Sequence, residues 1–566
     1  MRSSPFIAAS GTHNGLVPYA GWVTSRDLSS DPPLAADPIT VEARGPGTSA
    51  GRSRGRAAAV GAAMGLVVGG VAVGTAQLVA GIVNPAASPI LTVGQSAIDA
   101  APEWLKDAAI RTFGPSDKSV LLVGIGVVLA LSAIALGIAS LRRLWVGVGG
   151  LIAFGAIGVA AALTRPVARP RDALPAIAAT AAGLLTLVAM RSCVPSDASA
   201  TTIQADDGEA PWVVDRRRFL LTATAGVVGA LAAGGAGNFF AGRFRADASR
   251  AAVGIPTPAS RAASIGGAEL HVPGLGPFLT PNERFYRVDT ALFAPAVTAE
   301  DWSLRIHGMV QREITLDYER LLSRPLIERD ITLTCVSNHV GGPYIGNARW
   351  IGAPLRELLE EAEPLPGADQ IVGRSVDGFT VGTPTAVAMD GRDAMLAVAM
   401  NGEPLPIVHG FPVRMIVPGL YGYVSATKWI VDLELTTFDA YDPYWVQRGW
   451  AERAPIKTMS RIDTPQADRQ LRAGEIPIAG VAWAQDVGID RVDVAIDDGP
   501  WLPAELAAED TVDTWRQWVY RWEAARGEHL LRVRAVDRTG APQTPVRTDP
   551  FPDGATGYHT IAVVVR

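Results

Sequence analysis

Cys193 and Cys335 are the only two cysteines in the 566 residues, and their surroundings differ. Cys193 closes a long apolar run. Cys335 ends the segment Ile331-Thr332-Leu333-Thr334 and is followed by Val336-Ser337-Asn338 and the pair Gly341-Gly342. A thiol at a strand end, beside a polar glycine-containing turn, can project into a cleft. Its thiolate is a soft, strongly donating ligand suited to a transition metal. The plainer alternative for a lone cysteine is an inert buried thiol. A zinc site through Cys335 and His339 would have too few ligands at this spacing. A disulfide would have to join two compartments under the topology below, so none is expected.

Stepping outward from Cys335, short alternating runs separated by Gly and Pro read as strands at Trp302–His307, Asp330–Cys335 and Val413–Val417. Leu355–Glu361 reads as a helix. These give a mixed α+β domain over 265–444, tethered by an Ala-, Ser- and Pro-rich linker over 242–264. From Pro455 the pattern becomes strand and turn. Arg491–Ile496 meets Asp497-Asp498-Gly499, His529–Val536 meets Asp537-Arg538-Thr539-Gly540, and Tyr558–Val565 follows. That predicts an immunoglobulin-like β-sandwich over 455–566, which alone would be a structural or adhesive module.

The N-terminal half is different in kind. Five apolar stretches, 57–83, 119–141, 144–163, 173–190 and 219–241, approach the roughly 20 residues needed to cross a bilayer. They predict a transmembrane domain over 57–241 behind a disordered cytoplasmic tail, 1–56, with membrane lipid as the partner. Arg52, Arg54 and Arg56, Arg142 and Arg143, and Arg216 to Arg218 place the N-terminus inside. Five crossings then put the C-terminal half outside the cell membrane. Arg165, Arg169 and Arg171 break this pattern. Gly65, Gly69, Gly70 and Gly74 offer small-xxx-small spacing for close helix packing. Asp215-Arg216-Arg217-Arg218-Phe219-Leu220 resembles a twin-arginine export signal, in a placement similar to that of polytopic actinobacterial membrane proteins. The alternative is an ordinary positive-inside anchor. None of the seven histidines lies in a span, which excludes bis-histidine haem there. With 50 Lys+Arg against 56 Asp+Glu, nothing points to a nucleic-acid partner.

Several ordered motifs resemble the molybdopterin-binding sulfite oxidase family. Leu333, Cys335 and Asn338 match its Leu-x-Cys-x-x-Asn segment, in which the cysteine ligates molybdenum. Trp350-Ile351-Gly352 matches its Trp-x-Gly, and Gly410-Phe411-Pro412-Val413-Arg414-Met415-Ile416-Val417-Pro418 resembles its Gly-x-Pro-x-Arg-x-x-x-Pro stretch. Tyr421-Gly422-Tyr423, Lys428-Trp429 and the upstream Thr280–Tyr286 continue the resemblance. It implies a molybdenum–molybdopterin cofactor, with Cys335 as the metal ligand and Arg287, Trp350 and Tyr421 beside the reacting centre. Asn282, Tyr286, Ser375, His409, Arg414, Ser425, Thr427 and Lys428 are the implied cofactor-binding residues. The cofactor's phosphate suits the planar fork of Arg414 and the point charge of Lys428.

The family's cycle moves an oxygen atom between metal and substrate and then passes electrons singly, so a small-molecule substrate and a separate electron carrier are implied. A homodimer through 455–566 is implied as well. The sequence departs from the sulfite-oxidising members. His339-Val340 stands where they have arginines, and Arg287-Val288-Asp289 replaces an Arg-Asn-His run, so a neutral S-oxide or N-oxide competes with sulfite as substrate. The other reading is a non-catalytic cell-surface module that keeps the fold for binding or scaffolding.

Overall fold

A computed structural model describes residues 47–102, 112, 117–165, 168–194, 215–241, 246–291, 293–467 and 469–566. Residues 1–46 of the expected disordered tail lie outside them. Residues 47–56 do not fit that expectation, because the first helix, α1, already begins at Gly47 and runs to Val83.

Five long apolar helices follow the expected order: α1, then α3 (Asp117–Arg142), α4 (Leu144–Leu163), α5 (Leu174–Arg191) and α6 (Arg216–Ala241). A shorter helix, α2 (Pro89–Ala100), lies between α1 and α3. Small residues set the packing of α1. A Cβ on Gly65 would come 1.9 Å from the Ala133 carbonyl oxygen of α3, and one on Gly74 would come 2.5 Å from that of Ala230 in α6. Large apolar side chains such as Val123 and Leu131 on α3, and Leu231 and Phe239 on α6, face outward. Cys193 is buried, with Sγ 3.8 Å from Thr222 Oγ1, and both cysteines are free.

The loops after α1 and after α4 meet at one end of the bundle. Asn84 Nδ2 donates to Asp172 Oδ1 (3.1 Å), and Arg165 Nη1 donates to the Ala86 carbonyl (3.0 Å). Arg165, one of the arginines that breaks the charge pattern, is therefore used to tie loops together. At the start of α6, Asp215 caps the helix through its side chain to Arg218 N (3.1 Å), while Arg216 to Arg218 are exposed.

The expected linker is not a free tether. Ala246–Ala252 is a short helix whose Arg250 donates to the Pro404 and Leu405 carbonyls (2.8 and 2.9 Å) and pairs with Glu403 (2.8 Å). Buried Ala246 and the Ser249–Glu300 hydrogen bond (2.7 Å) complete the docking.

The central domain holds two five-stranded sheets around one core. The first has the order β2-β1-β10-β5-β6, from β1 (Ser303–Gly308), β2 (Ile314–Asp317), β5 (Gln370–Ser375), β6 (Thr380–Pro384) and β10 (Ile430–Thr436). The second has the order β3-β4-β7-β8 with β9 on β7: β3 (Ile327–Thr334), β4 (Ile345–Pro354), β7 (Met395–Met400), β8 (Glu403–Pro404) and β9 (Arg414–Ile416). All six residues of β7 are buried, as expected for a central strand covered on both faces. Helix α7 (Leu355–Ala362) presents Leu355, Leu358, Leu359 and Ala362 to this core, a one-sided stripe at helical spacing.

The C-terminal strands form two further sheets. One, from β11 (Met459–Thr464), β13 (Gly474–Trp483), β16 (Glu505–Leu506) and β17 (Arg516–Ala524), has the order β11-β13-β17-β16. The other, from β12 (Gln470–Leu471), β14 (Ile489–Ile496), β15 (Leu502–Pro503), β18 (Gly527–Asp537) and β19 (His559–Val565), has the order β12-β19-β18-β14-β15. Ile478, Val492, Trp518, Leu531 and Val533 are buried between them. The strand read at Arg491–Ile496 is β14 (Ile489–Ile496). Its Asp497 turn has φ +55°, which Asp tolerates better than most residues.

Candidate functional site

β3 carries Cys335 to the edge of the core and the chain then turns back. Cys335 N donates to the Tyr344 carbonyl (3.0 Å), Asn338 N donates to the Cys335 carbonyl (3.0 Å), and Tyr344 N donates to Asn338 Oδ1 (2.9 Å). The Asn of the Leu-x-Cys-x-x-Asn segment thus fixes the turn that aims the thiol. A Cβ on Gly342 would lie 2.6 Å from that Asn338 oxygen, so the position requires glycine. Ser337 Oγ is 2.9 Å from the Cys335 sulfur. Burial pushes the thiol pKa up, while the Ser337 hydrogen bond and the Lys428 charge pull it down.

Cys335 opens onto a cavity of about 610 Å³, which Tyr286, Ser375, His409, Arg414 and Lys428 also line. Arg414, in β9, is buried; its Nη1 donates to the His409 carbonyl (3.1 Å) and its guanidinium lies 5.0 Å from the Trp350 ring centre. Among the described residues no carboxylate pairs with it. Burial lowers its pKa to about 10, with Tyr286 opposing.

Lys428 Nζ sits 2.9 Å from Asp289 Oδ2, and burial lowers its pKa to about 8 against the pull of that carboxylate. Burial also lowers His409 to about 4, with Arg414, Lys428 and Arg287 adding to the effect, so the ring is neutral. Its Nε2 faces the Asn282 carbonyl at 3.0 Å and so carries the ring proton. Burial raises the Tyr286 hydroxyl far above its usual range.

Arg414 Nε and Ser375 Oγ on the cavity wall, and Thr427 Oγ1 behind it, are buried polar atoms without a partner among the described residues. An unpartnered buried cation beside unpartnered hydroxyls is costly unless an anion with several acceptor oxygens completes it. The site is built for such a group.

The other six expected residues do not line the cavity. Trp350 is fully buried, bonded to the Ile331 carbonyl (3.1 Å), and lies under Arg414. Tyr421 faces Gly554 of the C-terminal region, and burial raises its pKa to about 12. Ser425 spends its hydroxyl on the Leu420 and Tyr421 carbonyls (3.0 and 3.1 Å). Asn282 pairs with Asn401 and Glu403, and so holds the His409 loop rather than the cavity. Thr427 Oγ1 lies where a Cβ on Gly373 would clash at 2.7 Å. Arg287 is half-exposed and paired with Asp289 (2.8 Å). His339 is exposed, and no group of three or more His, Cys, Asp or Glu among the described residues could hold a metal ion, which leaves the zinc alternative without ligands.

Sequence reasoning missed part of the wall. Phe379, Tyr444, Trp445 and Trp450 line it, the last two from the stretch between the two expected domains. Ala97, Ile98 and Ala101 of the α2 end and Leu121 of α3 line it from the helical bundle.

Residues 291–445 match the family described as oxidoreductase molybdopterin binding domain. The mitochondrial sulfite oxidase of Drosophila melanogaster is 30% identical over 314 residues, covering 46% of this chain and 54% of that protein. The sulfite oxidase of Gallus gallus is 31% identical over 291 residues, covering 44% and 62%. The chain therefore spans little more than half the length of these curated relatives. The crystal structure of the sulfane dehydrogenase SoxCD from Paracoccus pantotrophus is similar with a TM-score of 0.45 at 24% identity, covering 51% of this chain and 81% of that one. Residues 291–445 thus match a molybdopterin-binding oxidoreductase domain, and the chain is similar to sulfite oxidases over a little under half of its length.

Proposed function

We propose that the chain is a membrane-anchored, molybdopterin-dependent oxidoreductase of sulfite oxidase type, working on the extracytoplasmic side with Cys335 as the molybdenum ligand. The observation that carries this is the buried Arg414, which lacks a carboxylate partner and opens on the same cavity as Cys335. The residues fit the group. Arg414 and Lys428 would bind its phosphate, Ser375 would offer a hydroxyl donor, and neutral His409 a ring edge. When bound, the molybdenum–molybdopterin group supplies oxygen-atom transfer and electron exchange. The chain's own residues bind and orient it, and the aromatic wall of Phe285, Phe379 and Trp429 keeps water out.

Asp289 decides the substrate class in this reading. It pairs with both Arg287 and Lys428, so once Arg414 is given to the cofactor phosphate no uncompensated cation is left among the described wall residues for a tetrahedral anion. A neutral S-oxide or N-oxide fits better than sulfite. Five long apolar helices with outward-facing Val, Leu and Phe support the anchor, and Arg165 tied into a loop supports an N-inside topology despite its charge. The two packed C-terminal sheets support an immunoglobulin-like module, which in this reading carries the homodimer contact.

Elemental and pterin analysis of the full chain, purified from cells that make the cofactor, tests the proposal. Stoichiometric molybdenum and pterin are expected in the wild type and loss of both in Cys335→Ser. A correctly folded wild-type chain without metal overturns the reading and favours a binding module.

A further inference from the structure

The cavity is not closed by its own domain. Its mouth is built by Ala97, Ile98 and Ala101 at the end of α2, by Leu121 at the start of α3, and by Trp445 and Trp450 opposite them. Ala97 and Ile98 lie in the last turn of α2, and Ala101 is the extended residue that follows it. The helix ends agree with this placement. The end of α1, the start of α3 and the end of α6 fall on one side of a five-helix bundle by alternation, and the Asn84–Asp172 and Arg165–Ala86 bonds join the loops there. On the membrane-anchored reading the mouth therefore lies where apolar helices leave the bilayer, and the described residues that line its helical side are aliphatic.

The mouth contains one directional group. Trp450 Nε1 is buried and has no hydrogen-bond partner among the described residues. Its ring meets Trp445 edge-on (6.1 Å) and Tyr423 at a tilt (5.9 Å), so aromatic edges and faces wall the mouth on this side. A ligand suited to this place is uncharged, ring-shaped and lipid-soluble, with an oxygen that can accept a hydrogen bond. Electron exchange must also be met from somewhere, and none of the spans contains a histidine to hold haem.

We infer that the mouth between α2, α3 and Trp450 is a binding site for a lipid-soluble quinone that enters from the bilayer, its carbonyl oxygen accepting from Trp450 Nε1. This rests on the membrane-anchored reading above. It makes the electron carrier a diffusible lipid-phase molecule and gives the helical region a part in the site.

Equilibrium binding of a decyl-substituted benzoquinone to the full chain in lipid nanodiscs tests it, with empty discs as background and molybdenum content measured in parallel. Saturable binding is expected in the wild type. Ala101→Trp, which fills the mouth, should weaken it more than tenfold. Trp450→Phe should weaken it about fivefold, the ~1 kcal/mol of a neutral hydrogen bond, with metal content unchanged in both. Absence of saturable binding in a metal-loaded chain overturns the inference and leaves the enzyme reading intact, as does equal binding by wild type and both variants. An anionic, water-soluble quinone that binds as tightly as the decyl probe overturns entry from the bilayer. Release of the wild-type chain from membranes by alkaline carbonate alone removes the anchor and this inference with it.

Discussion

Arg414→Met separates the cost of the site from its use. In the cofactor-free protein Arg414 is a buried cation without a carboxylate partner among the described residues. A pKa lowered from 12.5 to about 10 corresponds to about 3 kcal/mol of penalty on its charged form. Methionine removes that penalty and keeps most of the volume. The variant also loses the bond to the His409 carbonyl and the contact with the Trp350 ring, together worth ~1–2 kcal/mol. The cofactor-free variant should therefore be more stable by ~1–2 kcal/mol, a rise of several degrees in melting temperature for a domain of this size.

The loaded protein should respond with the opposite sign. Losing a buried charge-assisted contact to phosphate costs ~2–5 kcal/mol of affinity, roughly thirtyfold to several-thousandfold. The assay pairs thermal melts of full-length protein from cells unable to assemble molybdopterin with pterin retention in protein from competent cells. A cofactor-free variant that melts below the cofactor-free wild type while retaining pterin normally would refute the assignment, because Arg414 would then be structural.

Three further outcomes follow from the same geometry. His409 has a folded pKa of about 4 against 6.5, so the unfolded chain takes up a proton that the folded one refuses between these values. Urea melts of the cofactor-free protein should show stability falling from pH 6.5 toward 4, by up to about 3 kcal/mol from this residue, and His409→Gln should flatten that part of the profile. Burial, then Asp393, raises Asp513 to about 6, so its folded state holds a proton between pH 3.8 and 6, and stability from it falls as pH rises through 6. Asp513→Asn should stabilise the chain at pH 7 and make no difference at pH 3.5 in matched denaturant titrations. Gly554 has φ +103° and a Cβ there would lie 2.5 Å from the Tyr421 hydroxyl, so Gly554→Ala should destabilise by ~1–3 kcal/mol in the same assay.

The motif residues were legible where local chemistry is unusual. A thiol at a strand end before the turn Val336-Ser337-Asn338, and an arginine inside the apolar run Val413–Val417, announce themselves without neighbours. Their surroundings were less so. Tyr421 adjoins Gly422 of the cavity wall, yet its contact with Gly554 turns it away, and Trp350 is buried in β4 beneath Arg414. Arg287 looked available until Asp289, two residues on, took its charge. The α2 wall was illegible because a twelve-residue helix between two spans carries no signal of what it will cover. Trp445 and Trp450 fell in a stretch that two domain patterns each left unclaimed. Arg250 hid in a composition typical of linkers, and only its bonds to Pro404 and Leu405 show that the segment docks.

That docking bounds how far the catalytic domain can move. Only 242–245 separate the last residue of α6 from a segment already fixed to the domain, a reach of about 18 Å even when fully extended. In the proposed membrane-anchored reading, the cavity mouth stays within that reach of the bilayer. A reactant dissolved in the bilayer would meet it by a search in two dimensions, with encounter governed by its surface density in the lipid rather than by its concentration in water.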